Sequence, residues 1–211
     1  MNVLAIDTAS VCAAALARTG LATIARRTDI ARGHAEALMP MIEQILAEAA
    51  IDYAALDMIA AAVGPGSFTG LRTGLAAARG LSLALGKPTF GVSSLEAVAY
   101  AANPRRPLLV ALETKRTELY VQMFGADLRP AAEPLVCLPQ DIPALMPAGE
   151  VCVAGDAAHR LRGLVRAAFL DTPVGDAAII AAIALARRER NVEGLSLRPL
   201  YLSPPLAVPA A

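Results

Sequence analysis

The residues able to do chemistry are few, and they stand at turns. Asp7-Thr8-Ala9-Ser10 groups a carboxylate with hydroxyls directly after an apolar run. Taken alone, Asp7 reads as a turn-capping carboxylate, because aspartate side chains bond nearby backbone amides. Glu113 ends a later apolar run and precedes Thr114-Lys115-Arg116-Thr117. Gly64-Pro65-Gly66-Ser67-Phe68-Thr69-Gly70 has the look of a functional loop but fits no catalytic pattern. A dinucleotide fingerprint needs its third glycine one residue sooner. A phosphate-binding P-loop needs Gly-Lys-Ser/Thr, and a nucleophile elbow needs glycine where Pro65 stands. The two histidines, His34 and His159, lack any HxxxH or HExxH spacing, and Cys12, Cys137 and Cys152 form no CxxC. That pattern predicts neither a zinc site nor a disulfide framework, and it suits a reducing compartment. No metal and no cofactor are expected.

The elements that would position these residues are legible from hydrophobic spacing. Val3 to Ile6, Val11 to Arg18 and Leu21 to Thr28 read as three strands, the last two joined by a Thr19-Gly20 turn. Gly33 to Ala50 reads as a helix with Leu38, Met41, Ile42, Ile45 and Leu46 on one stripe; Pro40 should kink it or mark a shifted start. Met58 to Val63 is an apolar run typical of a sheet covered on both faces. Ser67 or Thr69 then caps a helix that stops at Gly86-Lys87-Pro88. On that helix Gly70, Gly74, Ala77, Ala78 and Ser82 recur at steps of three and four. One side is therefore nearly bare, although each interior glycine costs about 0.8–1 kcal/mol against alanine. Close approach of another backbone would offset that cost, either from this protein's own core or from a second protein.

Downstream, Thr89 to Val92 is a strand, and Ser93 with Glu96 forms a capping box for a helix to about Ala102. Leu108 to Leu112 and Leu119 to Phe124 form a new hairpin. Residues 125 to 147 read as irregular, apart from a turn or two of helix from Gln140 to Met146. Val151 to Ala154 is a strand, and Ala157 to Phe169 reads as an amphipathic helix with Arg160, Arg162 and Arg166 wet. Asp176 caps a final helix to about Arg190. The break at Asn103-Pro104 divides the chain into lobes 1–103 and 104–211, the second smaller and ending in a proline-rich tail.

Formal net charge is zero, from 19 basic and 19 acidic residues, without the basic excess of a protein that holds RNA by itself. The N-terminus has no basic region ahead of its apolar run, and no segment is long enough to span a bilayer. A soluble, cytoplasmic protein is expected.

Six stretches, in order, resemble the TsaB (YeaZ) family of tRNA threonylcarbamoyladenosine biosynthesis proteins. They are Leu4 to Ala9 (LAIDTA), His34 to Pro40 (HAEALMP), Gly64 to Gly74 (GPGSFTGLRTG), Gly91 to Ala97 (GVSSLEA), Glu118 to Tyr120 (ELY) and Pro199 to Leu202 (PLYL). GPGSFTG is the specific one. The resemblance implies an α/β fold of the two-lobed actin-like ATPase type, shared by sugar kinases, heat-shock chaperones and actin (ASKHA), with ribonuclease H-like lobes. That superfamily builds its first phosphate loop where Asp7, Thr8 and Ser10 stand, and its second where Glu113 stands. Here no glycine separates Asp7 from Thr8, and the family's usual DARxGExY becomes Glu113 to Tyr120 with Thr117 in place of glycine. The family more often has arginine where Ser203 stands.

The resemblance further implies a non-catalytic partner of the TsaD transferase, since TsaD-type proteins carry a metal-binding histidine pair that this sequence lacks. The family's process forms N6-threonylcarbamoyladenosine at position 37 of tRNAs reading codons that begin with A, with a TsaE-type ATPase resetting the complex. tRNA would be met only through the complex. The implied partner surface is the pair of long first-lobe helices, through Leu38, Met41, Ile42, Ile45, Gly70, Leu71, Gly74, Ala77, Ala78 and Leu81, which would also form a homodimer when TsaD is absent. An active ATP-dependent kinase or ATPase using Asp7, Thr8 and Glu113 is the main alternative, and a peptidase the weaker one.

Overall fold

A computed structural model describes residues 1–30 and 33–202. The expectations for Ser203 and the tail to Ala211 lie outside the described residues. Strands β1 (Asn2–Asp7), β2 (Cys12–Arg18), β3 (Ile24–Thr28), β4 (Met58–Gly64) and β5 (Thr89–Ser93) form one sheet, ordered β3-β2-β1-β4-β5. Strands β6 (Leu108–Glu113), β7 (Leu119–Phe124), β8 (Leu135–Cys137), β9 (Cys152–Ala154) and β10 (Ala168–Phe169) form a second, ordered β10-β9-β6-β7-β8. In each sheet an antiparallel hairpin runs into a parallel neighbour: β1 pairs β2 antiparallel and β4 parallel, and β6 pairs β7 antiparallel and β9 parallel. The architecture is thus one unit used twice.

Side-chain alternation along β1 explains why the first sheet is covered on both faces. Leu4 and Ile6 point to α1 (His34–Glu48) and α2 (Phe68–Leu85), where Leu38, Ile42, Ile45, Leu75 and Ala78 complete a core. Val3 and Ala5 point the other way, with Ala13, Ala15, Met58 and Ala60, onto Ile180, Ala181, Ile183 and Ala184 of α4 (Ala177–Glu189). Alanine on both sides of this second layer lets α4 sit close to the sheet. Helix α3 (Ser94–Ala102) instead presents Leu95, Val98 and Ala99 to Leu108, Val110 and Leu112 of the second sheet. The chain therefore crosses between the sheets, α4 returning to the first although it follows residue 103.

Helix ends are set by local chemistry. Ser67 caps α2 by accepting from the Gly70 amide at 3.3 Å, and Gly86 ends it in the left-handed region at φ 64°. Asp176 caps α4 through the Ala178 amide at 2.8 Å. Helix α1 runs unbroken through Pro40. Among the described residues, no helix is long and apolar enough to cross a membrane.

Several sequence expectations are corrected. The third strand begins at Ile24, with Leu21 to Thr23 exposed ahead of it. Ala157 to Phe169 is not a helix. A 3-10 turn (Ala158–Leu161) is followed by Gly163 at φ 84°, and the chain then extends into β10 beside β9. A left-handed glycine ends helical propagation, and the exposed sheet edge offers backbone partners in its place. Of that stretch's arginines only Arg166 is simply solvated: Arg160 is half-buried in bonds to the β6–β7 turn, and Arg162 lies 4.7 Å over the Phe169 ring. The capping box is also half right. Ser93 accepts from the Leu95 amide at 3.2 Å, but Glu96 pairs with Arg187 of α4 instead of reaching back.

Candidate functional site

The specific GPGSFTG run folds as a clamp around the first turn. The Ser67 amide donates to the Ala9 carbonyl at 2.7 Å, and the Thr8 hydroxyl donates to the Gly70 carbonyl at 2.7 Å. A Cβ on Gly66 would lie 2.7 Å from the Ala9 oxygen, and one on Gly70 only 2.0 Å from the Thr8 oxygen. Glycine is required here because backbone meets backbone. The same logic holds for Gly91, where a Cβ would lie 2.6 Å from the Leu195 oxygen, since Gly91 and Leu195 exchange both amide bonds at 2.8 and 2.9 Å. The Leu200 amide, in PLYL, donates to Val63 at 2.7 Å. Much of what carries the sequence resemblance is thus internal stitching.

The four candidate phosphate-loop residues are largely committed elsewhere. Asp7 and Thr8 are buried, each 2% exposed. Asp7 Oδ1 accepts from the Ala9 amide at 2.9 Å, the turn-capping role its position suggested. Burial pushes its carboxyl up to about 6 and nearby Asp176 adds to this, while the Ala9 amide and Arg27 pull the other way. Glu113 binds Arg160 Nη1 at 2.9 Å, and Arg160 also donates to the Arg116 carbonyl at 3.2 Å and to the Thr117 carbonyl. Arg160 thus engages both the Glu113 carboxylate and the carbonyls of the second turn.

Only Ser10 of the four lines the cleft between the sheets, a cavity of about 730 Å³. Arg27 lines it from β3; Asp156, His159, Arg162, Asp171 and Thr172 line it from the other side. Arg27 is already engaged by Asp29 at 3.2 Å and by the Val174 carbonyl at 3.3 Å. Burial raises the Asp156 carboxyl, which also accepts from the Glu113 amide at 2.9 Å. Nothing in the spacing of these residues marked them; folding alone brings them together. Among the described residues no three His, Cys, Asp or Glu side chains are placed to hold a metal.

The candidate partner residues need correction. Leu38, Met41, Ile42, Ile45, Leu71 and Ala78 are buried in the chain's own core, and Ala77 and Leu81 are half-buried against it. Gly70 and Gly74 face Thr8, whose Oγ1 would be 2.2 Å from a Cβ on Gly74. The bare side of α2 therefore receives this protein's own first turn. The outward side of α2 is different: Phe68, Arg72, Ala76, Gly80 and Leu83 are exposed, Leu83 by 87%, and a Cβ on Gly80 meets nothing within 4 Å. At its N-terminal end the Arg72 guanidinium lies 4.0 Å over the Phe68 ring. Its Nε donates to the Tyr201 hydroxyl at 3.2 Å, and the Tyr201 ring lies 5.4 Å from that of Phe68.

The duplicated sheets and the cleft between them define a two-lobed, actin-like α/β protein. Component A of (R)-2-hydroxyglutaryl-CoA dehydratase from Acidaminococcus fermentans shares this fold at a TM-score of 0.52, with 9% identity over 90% of this chain and 99% of that one. Residues 27–178 match the family model described as TsaD, tRNA N6-adenosine threonylcarbamoyltransferase. The crystallised YeaZ from Pseudomonas aeruginosa superposes with a TM-score of 0.82 at 27% identity, covering 95% of this chain and 99% of that one. An uncharacterized protein of Mycobacterium tuberculosis is 35% identical over 213 residues, covering 100% of this chain and 95% of its own. The tRNA threonylcarbamoyladenosine biosynthesis protein TsaB of Escherichia coli is 35% identical over 132 residues, 60% of this chain and 56% of that protein. The chain belongs to the family this model describes, and within it to the TsaB (YeaZ) group.

Proposed function

We propose that this protein is a non-catalytic subunit in the formation of N6-threonylcarbamoyladenosine at position 37 of tRNA, supporting a TsaD-type transferase together with a TsaE-type ATPase in the cytoplasm. The observation that carries the non-catalytic part is the bond from Thr8 Oγ1 to the Gly70 carbonyl. It spends, inside the molecule, the hydroxyl that an actin-like ATPase would offer to a phosphate. At the second turn the Glu113 carboxylate is likewise engaged inside the molecule, by Arg160. The outward sides of α1 and α2 form the partner face in this reading, and the same face pairs two copies when the transferase is absent. Membership of the TsaB group supports this assignment.

Light scattering of the protein alone, then mixed with the TsaD-type transferase of the same organism, tests it. A dimer that exchanges for a heterocomplex is the expected result; two species that never associate would refute it. The cleft of about 730 Å³ keeps one alternative worth measuring, because small-molecule sites span about 300–1,000 Å³. Micromolar binding of Mg-ATP in calorimetry would favour an active ATPase over the subunit role.

A further inference from the structure

The geometry points to Arg72 as a preorganised anchor for a carboxylate on an α-helix of the partner protein, an inference that rests on the partner-face reading above. Arg72 is exposed, yet it is not loose. Its guanidinium is stacked 4.0 Å over Phe68 and tied through Nε to the Tyr201 hydroxyl. That leaves the two terminal nitrogens, the edge that grips carboxylates bidentately. No carboxylate among the described residues forms an ion pair with it. An arginine already fixed by an aromatic face loses little freedom on binding, and Arg and Tyr are the residues that dominate interface energies.

The rest of the helix agrees. Phe68, Arg72, Ala76, Gly80 and Leu83 follow one another at steps of three and four, so they share one side. Apolar side chains stand at both ends of that side, with an open glycine between them where a second helix could approach closely. Charge selects the occupant. Helix α2 carries Arg72 and Arg79 and no acid, whereas neighbouring α1 carries Glu36, Glu43 and Glu48 and no lysine or arginine. A helix lying on α2 should therefore be acidic. Helix α2 of a second copy does not supply this; the acidic α1 of a second copy would, and loss of a homodimer alone on Arg72→Ala is the outcome that identifies it. If α2 pairs antiparallel with its own copy about Gly80, residue 72 falls opposite Gly86-Lys87-Pro88, which offers no carboxylate and one like charge. Nucleic acid is disfavoured as well, because the side around Arg72 is apolar and the chain has no net charge.

The test titrates the TsaD-type transferase of the same organism into wild type, Arg72→Ala, Arg72→Lys and Gly80→Glu by calorimetry, at low and high salt. All these positions are exposed, and circular dichroism checks that each variant is folded. The anchor predicts a tenfold or greater weakening for Arg72→Ala, incomplete recovery with lysine, and a shallower salt dependence once Arg72 is gone. Arg72→Ala within twofold of wild type, with Gly80→Glu abolishing the complex, would sink the anchor and leave the partner face standing. No effect from either substitution, or no complex with the wild type, would remove both. Two further results would also overturn the proposal: Arg72→Ala dissolving only a homodimer, or weakening only tRNA binding.

Discussion

Thr8 and Gly70 hold each other in both directions. The Thr8 hydroxyl donates to the Gly70 carbonyl at 2.7 Å, and the Thr8 carbonyl lies where a Gly70 Cβ would be, 2.0 Å away. The first turn of the chain and the first turn of α2 are therefore one unit, which gives the helix's glycines opposite roles.

Gly70→Ala and Gly74→Ala should each destabilise the protein by about 1–3 kcal/mol, because a methyl group must displace Thr8 from a packed site. Gly80→Ala should stabilise it by about 0.5–1 kcal/mol, since the new methyl meets nothing and the helix loses an entropic penalty. Gly74→Glu, a natural choice for breaking an interface, should fail to give a folded monomer. Denaturant midpoints of the four variants check the signs.

Asp7 supplies a pH dependence. Its folded carboxyl titrates near 6 against the ordinary 3.8, so between those values the folded state holds the proton more firmly than the unfolded chain. Its relative contribution is fully present below about pH 3.8 and is lost as pH rises through 6, a span worth at most about 3 kcal/mol. Asp7→Asn keeps an acceptor for the Ala9 amide and removes the buried charge. It should raise stability at pH 8 more than at pH 4. Equal gains at the two values in urea unfolding would contradict the burial argument.

Arg160 is the strut of the second turn, through Glu113 and the carbonyls of Arg116 and Thr117. Arg160→Ala should speed amide hydrogen exchange across residues 114–117 while leaving β1 and β4 protected. Unchanged exchange in that turn would mean that it is held by Thr114, whose hydroxyl donates to the Glu118 carbonyl at 2.7 Å.

Helix α4 gives another check. The half-buried Glu96–Arg187 pair joins it to α3. Glu96→Ala leaves Arg187 uncompensated in a partly dry site and should cost about 1–2 kcal/mol. Arg187→Met with Glu96→Leu should recover much of that loss in a double-mutant cycle.

What the sequence could and could not reveal follows from the range of the forces. Strands β1 and β4 and the caps at Ser67 and Asp176 depend on neighbours a few residues away, and their spacing discloses them. The small-residue side of α2 was also legible as a place of close approach. Which backbone approaches, Thr8 of the same chain or a partner, depends on a contact 62 residues distant in sequence. Even so, Gly74 and Gly80 are six residues apart, which puts them on different sides of a helix with 3.6 residues per turn. Only one of them could ever have faced the first turn. The Ala157 to Phe169 error has a similar origin: the arginine spacing suits a helix, but Gly163 and the open edge of β9 favour an extended path. Apart from Ser10 and Val11 at the first turn, the cleft residues come from β3 and from the segment after β9, and no local spacing marked them as neighbours.

The return of α4 to the first sheet also sets an order of events at the ribosome. A nascent chain that has emerged only to residue 103 has its five β-strands and α1 and α2, but Val3, Ala5, Ala13, Ala15, Met58 and Ala60 still face water. Their cover, Ala177 to Ala184, and the Leu195 backbone that closes the β5 edge are made only after the whole second sheet has been synthesised. Vectorial folding from the N-terminus therefore stalls halfway, with an alanine-rich apolar sheet face bare, and the first half of the chain is finished last.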